Sequence, residues 1–366
     1  MERNSEGTMN KLMLIADPQI TDAYSYKRTG ILQYLTEFYS DLYMHRNYHH
    51  LLRQLEPQAI IIMGDLMDGG REWEDPEWYQ ELSRFKKLFD TTIPVHYMVG
   101  NHDIGFGDGI KPSVSRRFTS AFGPTNYLIN TTNYTLVVVD TVSLSASNPE
   151  LRQEVHSFLN QPLPDTPRIL MTHVPLYRED TADCGPSRQT RKKGGIRQGV
   201  GYQYQNLMTK ELSQQLLEQI KPVAVFSGDD HDYCLVRHTY GKEEEAIEIT
   251  VPTFSMAQGV QYPAVLLLDT SEDLTTKLCW LPDQISIFIG YGFLFGLTLT
   301  ILTGKHVYRW FRIQKSLSKQ SLEELSVLKR SRQHRSLRRI SLSWLKDIRD
   351  IAIVSMLLYV FCLIFI

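Results

Sequence analysis

The chain has 366 residues, enough for one large domain or one domain with attached elements. Its 39 Lys and Arg against 41 Asp and Glu leave a formal charge of −2, so charge favours no nucleic-acid partner and none is expected. Four widely spaced cysteines without a CxxC pair argue against a cysteine-built zinc site; Cys184 and Cys234 can pair in an oxidising compartment or stay free.

The polar N-terminus runs into an apolar stretch of about six residues, too short for a signal-peptide core, which reads as a first buried strand. Similar runs recur along the chain as KLMLIAD, AIIIMGD, VHYMVGN, YTLVVVD, RILMTH and VAVFSGD. Each is rich in β-branched or long aliphatic residues and ends in a polar residue followed by a loop, the pattern of a buried strand. Residues 31–55 and 209–220 read as helices between them. Strands alternating with helices predict a layered α/β domain over residues 1–282.

In open α/β sheets, ligands bind beyond the carboxyl ends of the strands. Asp17, Asp65, Asn101, His173 and Asp229 each fall at or just past such an end, with His231 two residues further on. One Asp after a strand is usually a turn or helix cap, but five ligand-capable residues at one edge are more than caps require. Read in order, the strand ends spell Asp17-Pro18-Gln19, Gly64-Asp65-Leu66-Met67-Asp68-Gly69, Gly100-Asn101-His102-Asp103, Thr172-His173 and Gly228-Asp229-Asp230-His231. This series resembles the calcineurin-like metallophosphoesterase superfamily, whose pattern is DxH, GDxxD, GNHD, a lone His and GHxH. The resemblance spans Leu12 to about Asp269 and implies a four-layer α/β/β/α sandwich.

By that resemblance one divalent cation takes Asp17, Gln19, Asp65 and His231, and a second takes Asp65, Asn101, His173 and Asp229, with Asp65 bridging. His102 matches the histidine beside the leaving group, with a pKa suited to donating a proton, and Asp103 is expected to orient it. Two positions depart from the superfamily pattern, Gln19 in place of a His and Asp229 in place of the first His of GHxH. Both substitute oxygen for nitrogen, and oxygen-rich sites suit manganese or magnesium, so manganese is expected over zinc. The phrases ADPQI, GNHDIGF, HVPLYR and SGDDHDYC narrow the resemblance to fungal phosphodiesterases that remodel glycosylphosphatidylinositol (GPI) anchors. That implies a GPI lipid or GPI-anchored protein as substrate, with an ethanolamine phosphate removed from a mannose. Two other readings share the motifs: a protein phosphatase, and a membrane scaffold that keeps the fold without turnover.

Other features read less sharply. The Gly-rich, basic stretch 178–201 is a solvated loop or a phosphate-attracting lid. His45, His49 and His50 read as surface groups, Trp73, Trp78 and Tyr79 as packing, and Asp232 and Tyr233 as groups orienting His231. Residues 283–304 and 351–366 read as transmembrane helices, and the basic segment 305–350 between them as cytosolic by the positive-inside rule. The catalytic domain is then luminal in the endoplasmic reticulum or Golgi, where the sequons at Asn130 and Asn133 permit glycosylation. Translocating such a domain needs a leading anchor, so the chain is expected to start short of the true N-terminus.

Overall fold

Every one of the six apolar runs forms a strand, and together they supply all the parallel pairs of the two sheets among the described residues except β9 with β11. The computed structural model describes residues 9–190, 194–319 and 326–365, in two units, Met1–Asp283 and Gln284–Ile366. In the first unit the strands are β1 (Lys11–Ile15), β2 (Ala59–Ile62), β3 (Val95–Tyr97), β4 (Tyr127–Asn130), β5 (Thr135–Val138), β6 (Arg168–Met171), β7 (Val200–Gly201), β8 (Tyr204–Gln205), β9 (Pro222–Ser227), β10 (Cys234–Tyr240), β11 (Glu244–Thr250), β12 (Ala264–Asp269) and β13 (Thr275–Trp280). Its helices are α1 (Ala23–Tyr26), α2 (Gly30–Leu55), α3 (Asp75–Leu88), α4 (Asn101–Ile104), α5 (Pro112–Phe122), α6 (Thr141–Leu144), α7 (Pro149–Leu159) and α8 (Lys210–Ile220).

One sheet has the order β13-β12-β1-β2-β3 and the other β10-β11-β9-β6-β5-β4. Successive side chains on a strand point to opposite faces, and here both faces are apolar. Leu12, Leu14, Ala59 and Ile61 meet Leu136, Val138, Ile169, Met171 and Phe226 of the second sheet. Their neighbours Met13, Ile15, Ile60 and Ile62 join Met44, Tyr48 and Leu51 of α2 and Trp78, Leu82 and Phe85 of α3. Val137, Leu170 and Val225 pack in the same way with Val155 of α7 and Leu216 of α8. This is the expected four-layer α/β/β/α sandwich, and burial on both faces explains why β1, β2, β5 and β6 show no polar alternation.

The second unit is two helices, α9 (Gln284–Lys319) and α10 (Ser326–Phe365). Among the described residues one stretch, Gln284–Ser316, is long and apolar enough to cross a membrane. The expected second span at 351–366 falls short among the described residues. It is the end of α10, directly preceded by Arg349 and Asp350. Within the segment 305–350, α9 continues through Lys319 and α10 begins at Ser326, and residues 320–325 lie outside the described residues. Asp347 ties the two helices together, 2.8 Å from the Lys305 Nζ and 3.1 Å from the His306 Nε2.

Candidate metal centre

The seven expected ligands follow the C-terminal ends of β1, β2, β3, β6 and β9, six on loops and Asn101 at the start of α4, and the two sheets bring those ends together. Five of them take left-handed backbone, with φ of 46° at Asp17, 35° at Gln19, 51° at Asp65, 64° at Asp229 and 66° at His231. Such a conformation costs a non-glycine residue about 1–3 kcal/mol, and its clustering in one place marks a functional site. The glycines beside them give space. A Cβ on Gly100 would overlap the Asp65 carboxylate, and one on Gly64, at φ 98°, would press on the His173 ring.

Two groups of ligand atoms result. Asp17, Asp65 and His231 form one, and Asp65, His173 and Asp229 the other; within each, the donor atoms lie no more than 4.8 Å apart. Asp65 belongs to both. The His173 Nε2 is 3.3 Å from the Asp65 Oδ1, 3.6 Å from the Asp229 Oδ1 and 3.2 Å from the Asn101 Oδ1. Its Nδ1 donates to the Met63 carbonyl at 2.8 Å. That carbonyl can only accept, so Nδ1 carries hydrogen and Nε2 is the atom turned to the centre, as in a metal-ligating histidine. Gln19 donates its Nε2 to the Asp65 Oδ2 at 2.7 Å, which leaves its Oε1 buried without a partner among the described residues. A buried orphan oxygen on an amide that touches the Asp65 carboxylate is what a cation would satisfy.

The electrostatics agree. Burial pushes the Asp17 carboxyl well above its usual range, with Asp65 and Asp229 adding to the rise against the opposing pull of His173. Burial disfavours charge on His173, but Asp65, Asp229 and Asp17 outweigh it and hold that imidazole well above its ordinary pKa. Despite its own burial, Asp65 is held well below the usual carboxylate range by His173 and His102. A buried cluster with surplus negative charge gathers protons, and cations binding there release them. Three carboxylates, two amide oxygens and two imidazoles fit a pair of divalent ions with Asp65 between them.

His102 lies next to this cluster, its backbone N–H donating to the Asp65 Oδ1 at 2.8 Å. Its Nδ1 is 2.7 Å from the Asp68 carbonyl and 3.0 Å from the Asp68 Oδ1. Burial works against the charge on this ring, but Asp65 and the Asp68 hydrogen bond raise its pKa to about 9. The expected role of Asp103 is corrected here. Its carboxylate accepts from the backbone N–H groups of Leu66 at 2.9 Å, Met67 at 3.4 Å and Gly100 at 2.8 Å. It clasps the loops after β2 and β3, whereas the imidazole's carboxylate partner is Asp68. The second Asp of the GDxxD spacing was the available signal.

Of the stretch 178–201, residues 191–193 lie outside the described residues, and 178–190 are anchored, which the composition alone did not show. Arg188 pairs with Asp230 at 2.6 Å, and Asp232 accepts from the backbone of Gln189 and Thr190 at 2.9 and 2.7 Å. Cys184 and Cys234 form a disulfide. Asp232 therefore orients this loop and not the His231 ring. Arg178 pairs with the fully buried Glu248 at 2.8 Å, and Glu248 also accepts from the Ser227 Oγ and lies 2.6 Å from the His238 Nε2. Between β7 and β8, the Gln203 carbonyl accepts from the Asn101 Nδ2 at 3.1 Å; nothing in its sequence context singled it out. Trp78 is a core residue, Trp73 donates to the Asp22 Oδ2 at 2.8 Å, and Tyr79 is exposed. His45 and His49 pack edge to face on α2, and with His50 they join no ligand group among the described residues.

Site and fold define a metal-dependent phosphoester hydrolase. The calcineurin-like phosphoesterase family matches residues 11–233, and the chain belongs to it. Over 305 residues it is 39% identical to Cell division control protein 1 of Saccharomyces cerevisiae, covering 75% of this chain and 61% of that protein. It is 28% identical to Metallophosphoesterase 1 of Mus musculus, covering 71% and 70%. Among solved structures, a dimetal phosphatase from Danio rerio aligns at 15% identity with a TM-score of 0.46, over 76% of this chain and 98% of that one.

Proposed function

We propose that the chain is a manganese-dependent phosphodiesterase that removes an ethanolamine-phosphate side group from a GPI-anchor mannose. The observation that carries the phosphoesterase chemistry is the pair of ligand groups sharing Asp65, with the His102–Asp68 pair beside it. Two bound cations supply Lewis acidity to the phosphoryl oxygens and a nucleophilic water at neutral pH. The chain's residues do the rest. Asp65, Asp17 and Asp229 hold the charge balance, His173 is fixed by Met63, and Asn101 is fixed by Gln203. Asp65 and the Asp68 hydrogen bond raise the pKa of His102, which suits it to give a proton to the departing alkoxide as the P–O bond breaks.

Manganese is favoured by the oxygen-rich donor set. The ADPQI, GNHDIGF, HVPLYR and SGDDHDYC phrases support the GPI substrate. The disulfide and the exposed sequon residues Asn130 and Asn133 support a luminal catalytic unit in the endoplasmic reticulum or Golgi. The basic residues after the apolar helix support a cytosolic side for the segment 305–350.

The test is hydrolysis of bis-p-nitrophenyl phosphate by the full chain with manganese, against Asp65→Ala. A wild type no faster than that variant under every divalent metal would end the enzymatic reading. Phosphopeptide turnover exceeding diester turnover would favour a protein phosphatase. Unchanged GPI glycans in cells lacking the protein would remove the lipid substrate and leave the hydrolase.

A further inference from the structure

The start of α2 carries apolar side chains that the fold leaves unburied. Further along, Met44, Tyr48 and Leu51 bury a stripe against the sheet, but in the first three turns the buried positions are Gln33 and Ser40. Ile31, Leu32, Tyr34 and Leu35 are 78%, 56%, 63% and 40% exposed, and Tyr26 of α1 is 41% exposed. No acidic residue lies between Asp22 and Glu37, while Lys27 and Arg28 are exposed. An apolar, tyrosine-bearing, locally basic surface is what an interfacial helix offers to lipid headgroups and the upper acyl chains.

Two tethers place this surface beside the point where the chain leaves the catalytic unit for its apolar helix. The Tyr43 hydroxyl donates to the Pro282 carbonyl at 2.9 Å, directly before α9 begins at Gln284. Ile31 precedes Tyr43 by twelve residues, about 18 Å of helix. At the other end, the Tyr26 hydroxyl donates to the Ala257 carbonyl at 2.8 Å, and the same loop donates from the Gln261 Nε2 to the Asp283 Oδ2 at 2.8 Å. Helix α2 and the loop that holds Tyr26 are thus each hydrogen-bonded to the residues directly before α9. The segment also adjoins the chemistry: the α1 cap Asp22 accepts from the Gly69 N–H at 3.0 Å, one residue past the Asp68 that partners His102.

We propose that the exposed face of α1 and the first turns of α2 rests on the bilayer surface and holds the metal centre against it, so that a phosphodiester carried on a membrane lipid reaches the site. This rests on α9 spanning a membrane and, for the substrate, on the phosphodiesterase reading. A second copy of the chain or a protein partner on this face is the competing occupant. Lipid is favoured because α2 is tied to the residues before α9 and the charged groups of residues 23–36 are basic, suiting anionic headgroups.

The test uses the full chain in nanodiscs of phosphatidylcholine with phosphatidylserine. In a background of Cys279→Ser and Cys362→Ser, an environment-sensitive fluorophore is placed at Leu32→Cys, and in a second protein at Glu150→Cys on the exposed start of α7. The expected result is that a lipid-borne nitroxide quenches the label at position 32, and aqueous iodide quenches the one at 150. Iodide quenching position 32 as strongly as 150, or both quenchers failing at 32 because protein covers it, overturns the proposal. In an activity arm, Ile31→Ser with Leu32→Ser lowers turnover of a lipid-borne phosphodiester by about tenfold and leaves bis-p-nitrophenyl phosphate hydrolysis unchanged. Equal turnover of the lipid-borne substrate by variant and parent refutes the presentation role. Absent hydrolysis of the soluble diester in the parent defeats the enzymatic reading, while the quenching result still decides where this face lies.

Discussion

Replacing Asp68 by Asn tests which carboxylate governs the catalytic histidine. The His102 ring is 3.0 Å from the Asp68 carboxylate, with side chains 24% and 13% exposed. A charge-assisted hydrogen bond of this kind contributes about 1.5–3 kcal/mol, or about one to two pKa units. Because Asn keeps an acceptor oxygen, the lower end applies. Cations bound at Asp65 offset that carboxylate's pull on the ring, leaving Asp68 as the group that keeps it protonated. A raised histidine pKa means the proton is present at low pH and lost as pH rises through the raised value, which Asp68 sets once cations offset Asp65. In Asp68→Asn the alkaline limb of kcat should therefore move down by about one unit. The assay compares a diester with an alkyl leaving group and one with p-nitrophenolate, which departs without a proton. The alkyl substrate should lose about tenfold or more and the aryl substrate far less. Asp103→Asn, which disturbs the clasp on the Leu66, Met67 and Gly100 amides, should lower thermal stability and leave the alkaline limb in place. An unmoved limb and an unchanged alkyl-to-aryl ratio in Asp68→Asn would refute the assignment, as would Asp103→Asn reproducing its behaviour.

Gln19→Leu removes the orphan Oε1 and the hydrogen bond to Asp65, so manganese should bind at least about tenfold more weakly by titration calorimetry; unchanged affinity would exclude Gln19 as a ligand. Glu248→Gln strands a buried Arg178 charge and should cost about 3–5 kcal/mol, read as a lower melting temperature. Its pH dependence has a definite sign. Burial disfavours the charged Glu248, but Arg178, His238 and Ser227 outweigh it and depress its pKa to about 2. The stabilisation is therefore present above the unfolded value of about 4.3 and is lost as pH falls toward 2. Wild-type stability should decline across that window more steeply than the variant's, and parallel curves would contradict the assignment. Reducing the Cys184–Cys234 disulfide, which closes a loop of 50 residues, should lower stability by about 4 kcal/mol on chain-entropy grounds; identical melting with and without reductant would oppose that.

Much of the site was legible from order alone. A buried parallel strand needs a continuous apolar run, and a loop carrying a ligand at its end needs a polar residue there, so Asp17, Asp65, Asn101, His173 and Asp229 showed themselves. Motif resemblance added Gln19 and His231, whose spacing from a strand carries little by itself. The strands β10 to β13 were not read, because edge strands such as β13 mix polar and apolar residues and lack a distinctive run. In the second unit, composition showed the apolar stretches without showing that the basic segment between them is largely helical.

The pairing of side chains was not legible. Asp68 and Asp103 are equally plausible neighbours of His102 by spacing, yet Asp103 is turned onto three backbone amides and only Asp68 reaches the ring. Whether Cys184 and Cys234 would pair was also open, since proximity across a separation of 50 residues is a property of the folded chain. Local sequence determined the strands, their polar ends and the donor types, because periodicity and residue chemistry act over a few neighbours. Tertiary structure decided which donors share Asp65, which carboxylate charges His102 and which apolar residues remain uncovered, because these depend on distances between segments far apart in the chain.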